Sequence, residues 1–134
     1  MAPAPSDAEI NAMSSLALAH IGDAVYELLA RSWLMLRGRQ TSRALHGETV
    51  KIVRARAQAG AARRLLDELT DEESEVYRRG RNARSHSIPR GALAADYHAA
   101  TALEALFGWL YLKGRRARIN ELFEMIMELS DASD

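Results

Sequence analysis

Cysteine is absent from the 134 residues. That excludes a disulfide framework and any thiolate metal site, and it fits a reducing compartment. No apolar run reaches the roughly 20 residues a membrane-crossing helix needs, and the opening MAPAPSDAEI lacks the basic start and apolar stretch of a secretory leader. A cytoplasmic protein without a membrane partner is the expectation. An excess of one charge is missing too, since 18 basic residues face 18 acidic ones. Their distribution is uneven: residues 37–90 hold 13 bases against seven acids, a net +6, between flanks of −3 each. A basic middle of this kind suits a polyanion as well as it suits a solvated helix face.

Sustained two-residue alternation is also lacking, so nothing argues for strands. Helical periodicity is present throughout, and with 48% hydrophobic residues the chain can bury one core, which gives an all-α expectation. From Ser15 to about Leu36, the residues Leu18, Ile21, Val25 and Leu28 mark one apolar stripe, and Gly38 stops the run. A second helix, capped by Ser42, is expected to run to 69 with a bend near Gly60. Thr70 and Glu73 form a capping-box pattern, so a third helix starts there and fades near Gly80. RGRNARSHSIPRG, punctuated by Pro89 and Gly91, reads as an exposed loop. Asp96 opens the next helix, Gly114 ends it, and a last helix covers about Ala117 to Leu129. Residues 1–13 are expected to be frayed, and residues 14–130 to form a single domain.

A carboxylate in an apolar helix needs a cation, a donor or water, and Asp23 sits in the middle of LALAHIGDAVYELLARSWL. Ala19, Asp23 and Glu27 share one face at four-residue steps. Glu104 has similar company, with Ala100 and Thr101 one turn before it and Gly108 one turn after. Two carboxylates flanked by small residues leave space for a hydrated hard cation such as Mg²⁺ or Mn²⁺. Spacing alone favours the plainer arrangement, in which Asp23 bonds Arg31 or a helix end while Glu104 faces solvent. His20, His46, His86 and His98 have no zinc-like spacing. Ser85 and Ser87 beside His86 lack a nucleophile-elbow pattern. Phe107, Trp109 and Tyr111 fall at core-like helical spacing rather than forming a stacking platform.

LALAHIGDAVYELLAR, RARAQA, LTDEESEVYRRGRNARS and ATALEALFGWLYL occur in the order expected of Mini-ribonuclease III, which the chain resembles from about Leu16 to Leu112. The first and last segments look like reduced forms of the two acidic signatures of the wider ribonuclease III family, E-x-x-E-x-x-G-D-A-V and D-x-x-E-A-x-x-G. Gly22, Asp23, Ala24 and Val25 remain from the first, and Glu104, Ala105 and Gly108 from the second. Leu16 and Ala19 stand where the larger enzymes carry glutamates, and Thr101 where they carry aspartate. The Mini form shows the same reduction. His20 replaces an aromatic residue that the family uses near its dimer contact. Nothing resembling the usual double-stranded-RNA-binding domain follows Leu112, as in the Mini form.

The resemblance implies a ribonuclease III-type helical endonuclease domain. It further implies a homodimeric endoribonuclease that cuts double-stranded RNA in maturing the 23S ribosomal RNA precursor and leaves 5′-phosphate and 3′-hydroxyl ends. Asp23 and Glu104 would be catalytic and would hold Mg²⁺, with Mn²⁺ able to substitute, and Glu27 and Thr101 would support them. Arg78, Arg79, Arg81, Asn82, Arg84 and Arg90 are the candidate contacts to A-form RNA, and the loop from Ser85 to Leu93 the candidate source of sequence preference. A non-catalytic RNA- or ribosome-binding module on the same scaffold is the alternative. A helical DNA-binding regulator ranks behind it, for want of a base-reading helix.

Overall fold

Helix α6, Ala94–Leu112, is apolar on nearly every side and buries eleven of its 19 residues, which places it at the centre of the molecule. The computed structural model describes residues 4–38, 41–83 and 93–133, with side chains to Glu128. Among them every regular element is helical: α1 Asp7–Asn11, α2 Ser15–Leu36, α3 Ser42–Val53, α4 Ala55–Leu65, a 3₁₀ turn Leu66–Glu68, α5 Asp71–Asn82, α6, and α7 Arg116–Ser133. Around α6 pack α2, α5, α4 and α7, while α3 leans on α2. The all-α expectation holds.

Small residues set how closely these helices approach. A Cβ on Gly22 would lie 1.6 Å from the carbonyl oxygen of Glu104, and one on Gly108 would lie 2.0 Å from that of Leu18. Helices α2 and α6 therefore touch backbone to backbone. This contact decides which face of α2 is buried, namely Leu18, Ala19, Gly22, Tyr26, Ala30 and Leu34. The expected stripe is thus corrected: Leu28 is 66% exposed, because the small residues rather than the largest ones meet α6. Behind the crossing, the Tyr26 ring stands edge-on to Phe107 and to Phe123, with centroids 5.4 Å apart in both pairs.

The second expected helix is two. Arg54 is extended, at φ −63° and ψ 150°, yet its N–H donates to Val50 and its carbonyl accepts from Gln58, so it ends α3 and begins α4. The break lies there and not at Gly60, which sits inside α4. It lets α3 rest on α2 while α4 turns to α6 and α7. Thr41 rather than Ser42 caps α3, its hydroxyl accepting from the Ala44 N–H. The Thr70–Glu73 capping box is present. Leu93 precedes α6, and Asp96 lies in its first turn. Gly114, at φ +74°, ends α6 in a left-handed conformation that glycine adopts without strain.

The segment expected to be frayed contains α1, closed by a Ser6–Glu9 capping box and anchored by buried Ile10. Lys113 at the far end of α6 pairs with Asp7 at 2.8 Å. Phe107 and Trp109 are core residues, whereas Tyr111 is 44% exposed.

Candidate active site

The α2–α6 crossing places Asp23 beside Glu104. Asp23 follows Gly22, whose Cα lies against the Glu104 backbone, and the two carboxyl groups come within hydrogen-bonding reach of each other. Asp23 is exposed and Glu104 half-buried. Burial pushes the Glu104 carboxyl up to about 8, and the hydrogen bond and negative charge of Asp23 add to the rise. Two carboxyl groups this close favour positive charge between them. Arg31 does not supply it, since it pairs with Glu27 at 3.2 Å. Of the two arrangements the spacing allowed, the shared pair is the one present.

Glu27 points its charge at Arg31 on the outside of α2. Thr101, buried one turn before Glu104, donates its hydroxyl to the Tyr97 carbonyl at 3.0 Å. Neither joins the carboxylate pair directly. Two further groups went unread in the sequence. Gln58 of α4 is 2% exposed, and its amide faces Glu104 closely enough to favour the ionised carboxylate. Its Nε2 nevertheless completes no hydrogen bond of ordinary geometry. Arg64, one turn and a half further along α4, likewise has a buried Nε without a partner. Its charge opposes the upward push that burial gives the Tyr26 phenol. A lone Gln in the Ala-rich run RARAQAGAA was the available signal.

Among the described residues no group of three or more His, Cys, Asp or Glu is assembled. The groups at the crossing that could hold an ion are two carboxyl groups, both hard oxygen donors. Such a set suits an ion that keeps most of its shell as water or substrate oxygen.

The candidate RNA contacts lie on the second half of α5. Arg78, Arg79, Arg81 and Asn82 are all exposed, because Gly80 and Tyr77 take the face turned to the core. Arg78 is engaged by Glu75 at 2.6 and 3.0 Å. Arg81 borders a recess of about 360 Å³ with Arg63, Tyr77 and His98. Arg84, Arg90 and the segment 85–92 lie outside the described residues. A second basic recess, about 540 Å³, gathers Lys51, Arg54, Arg56 and Arg64 between α3, α4 and α7.

An all-helical domain with an Asp–Glu pair at a glycine-lined crossing defines the class, and residues 16–115 match the family model for the ribonuclease III domain. The chain belongs to the ribonuclease III family and, within it, to the Mini-ribonuclease III group of endoribonucleases. A Mini-ribonuclease 3 of Thermoanaerobacter sp. is 43% identical over 117 residues, covering 87% of this chain and 82% of its own. That of Gloeobacter violaceus is 48% identical over 107 residues, covering 80% and 78%. A crystal structure of a Fusobacterium nucleatum protein superposes with a TM-score of 0.79 at 28% identity, covering 86% of this chain and 93% of its own. The family is generally dependent on divalent metal and acts on double-stranded RNA.

Proposed function

We propose that the protein is a Mg²⁺-dependent endonuclease of double-stranded RNA, with Mn²⁺ able to substitute, that acts as a cytoplasmic homodimer on the 23S ribosomal RNA precursor. The observation that carries the reading is the close approach of the Asp23 and Glu104 carboxyl groups at the Gly22–Gly108 crossing, whose mutual repulsion a divalent ion would relieve. When bound, the ion would lower the pKa of a water and offset charge on the scissile phosphate, so that hydrolysis leaves a 5′-phosphate and a 3′-hydroxyl. Asp23 and Glu104 would hold it, and Glu104 must release its proton to do so. Asp23, exposed beside the crossing, is the carboxylate that substrate reaches first. Arg79, Arg81 and Asn82 would take phosphates and 2′-hydroxyls on the shallow groove of A-form RNA. The Mini-ribonuclease likeness supports the choice of the 23S precursor as substrate. Among the described residues no helix is long and apolar enough to cross a membrane.

Two cuts on opposite strands suit a two-fold axis. Leu16, His20, Ala24 and Leu28 form an exposed strip along α2 at four-residue steps, with Leu16 41% and Leu28 66% exposed, and a second copy would cover it. Sedimentation should show a dimer that Leu28→Glu dissociates; a fully active monomer would sink the dimer. The central test incubates a labelled RNA duplex with the protein in Mg²⁺, in Mn²⁺ and in chelator. Cleavage is expected only with metal, and Asp23→Asn or Glu104→Gln should abolish it while duplex binding persists. Wild-type cleavage by Asp23→Asn would overturn the assignment.

A further inference from the structure

Neutral, buried and incompletely bonded, Gln58 is out of place in a core built from alanines. It is 2% exposed, between Ala57 and Ala59 on the helix that packs against α6. An apolar residue of the same length would fill the space without leaving an N–H unpaired, an arrangement that costs about 1–3 kcal/mol. Such a group calls for a purpose. A charged neighbour supplies it: the Gln58 amide lies close enough to Glu104 to favour its ionised form, and Nε2 completes no hydrogen bond.

We infer that Gln58 is a positioning residue, whose Nε2–H donates to one oxygen of the Glu104 carboxylate and so turns the other toward a divalent ion. The inference rests on the reading of Asp23 and Glu104 as the ion's holders. Glu104 projects from α6 and can rotate about its side-chain bonds. Asp23 repels it when both are ionised, and Thr101 one turn away is spent on the Tyr97 carbonyl. Gln58, fixed by burial on α4, approaches from a third helix and is the neutral donor that can hold one carboxylate oxygen while the other faces the ion. Groups that orient a metal-binding carboxylate in this way change metal affinity by about 10–100-fold when removed. Gln58 does not touch substrate, so its effect must pass through Glu104.

The test measures Mn²⁺ binding to the free protein by electron paramagnetic resonance, beside the Mg²⁺ concentration for half-maximal duplex cleavage. Gln58→Met preserves length and volume without the donor. It should fold with an unchanged or higher Tm, bind Mn²⁺ about 10-fold or more weakly, and regain most of the cleavage rate at saturating Mg²⁺. Wild-type Mn²⁺ affinity in a folded Gln58→Met would overturn the inference. Gln58→Glu separates positioning from direct ligation. A carboxylate cannot donate when ionised, so weakened Mn²⁺ binding supports the inference, whereas tighter binding would make residue 58 a ligand and overturn it. Asp23→Asn serves as the reference: if it also binds Mn²⁺ as wild type does, the reading of the carboxylate pair fails first. If it loses binding while Gln58→Met keeps it, only the role of Gln58 falls.

Discussion

Gly22 of α2 and Gly108 of α6 face each other across a helix crossing so close that a Cβ on Gly108 would lie 3.0 Å from the Gly22 nitrogen. The contact sets the proposed site as well as the fold, since Asp23 is the next residue after Gly22, and Glu104 is one turn before Gly108. Gly22→Ala drives a methyl group to 1.6 Å from a backbone carbonyl, which no side-chain rotation relieves. The helices must separate, at a cost above the ~1–3 kcal/mol usual for overpacking, and thermal unfolding should drop by roughly 10 °C or more. Gly47→Ala is the contrast. Its Cβ would meet nothing within 4 Å, and inside α3 it should stabilise by about 0.5–1 kcal/mol.

The raised Glu104 carboxyl makes stability depend on pH, and the proposed ion would make it depend on metal as well. Its carboxyl stands at about 8 against an ordinary 4.5, so between those values the folded state holds a proton that the unfolded state has lost. More protons bound when folded means that stability falls as pH rises through this window. Thermal melts in chelator should show Tm declining from pH 5 to pH 8, and Glu104→Gln should flatten that decline. Mg²⁺ held by the proposed pair would displace the proton, so it should raise Tm more at pH 8 than at pH 5.5.

Glu73 reverses the sign. Burial acts to raise its carboxyl, but Arg118, bonded to both oxygens at 2.9 Å, and the Thr70 backbone N–H together hold it below the usual carboxylate range. Arg118 also donates to the Glu68 carbonyl at 2.7 Å and pairs with Glu121, tying α7 to the start of α5. Arg118→Ala leaves a 2%-exposed carboxylate without its counter-ion and should cost about 3–5 kcal/mol at pH 7. The loss should shrink at acid pH, as pH falls through the depressed range of the folded Glu73 carboxyl and a proton takes the place of the counter-ion. Glu73→Leu in the Arg118→Met background should recover much of the stability. Chemical denaturation at the two pH values measures each term.

How much of this was legible beforehand depended on how local the signal is. Ser15–Leu36, the Thr70–Glu73 box and the stop at Gly114 are written in consecutive residues, and they appear as read. The buried face of α2 was misplaced because large side chains were given more weight than Gly22, Ala19 and Ala30, whose role exists only once α6 is laid across them. The break at Arg54 escaped for a similar reason: an extended arginine carries no special residue type, and only the differing destinations of α3 and α4 demand it. At the site, the small neighbours singled out the two carboxylates but left a structural role open, and their catalytic reading came from the resemblance to the two acidic signatures of the ribonuclease III family. Gln58 was not singled out, because its partner lies 46 positions away on another helix.

Arginines on α5 that look equivalent in the sequence are not equivalent on the surface. Arg78 is held by two bonds to Glu75, and engaging a phosphate would require it to leave them. Arg79 and Arg81 are exposed, and among the described residues neither forms a carboxylate pair within 4.0 Å. Each phosphate contact on a duplex releases counter-ions and contributes about 0.9 to the slope of log affinity against log salt. Arg79→Ala and Arg81→Ala should therefore each weaken duplex binding across unrelated sequences and make that slope shallower by up to about one unit. Arg78→Ala should change it less, because the lost phosphate contact is offset by the ion pair it no longer has to break. Affinity measured at four or five salt concentrations checks both statements. A fall in affinity with an unchanged slope for Arg79→Ala and Arg81→Ala would move the phosphate contacts off α5, with the basic recess of Lys51, Arg54, Arg56 and Arg64 next to be tried.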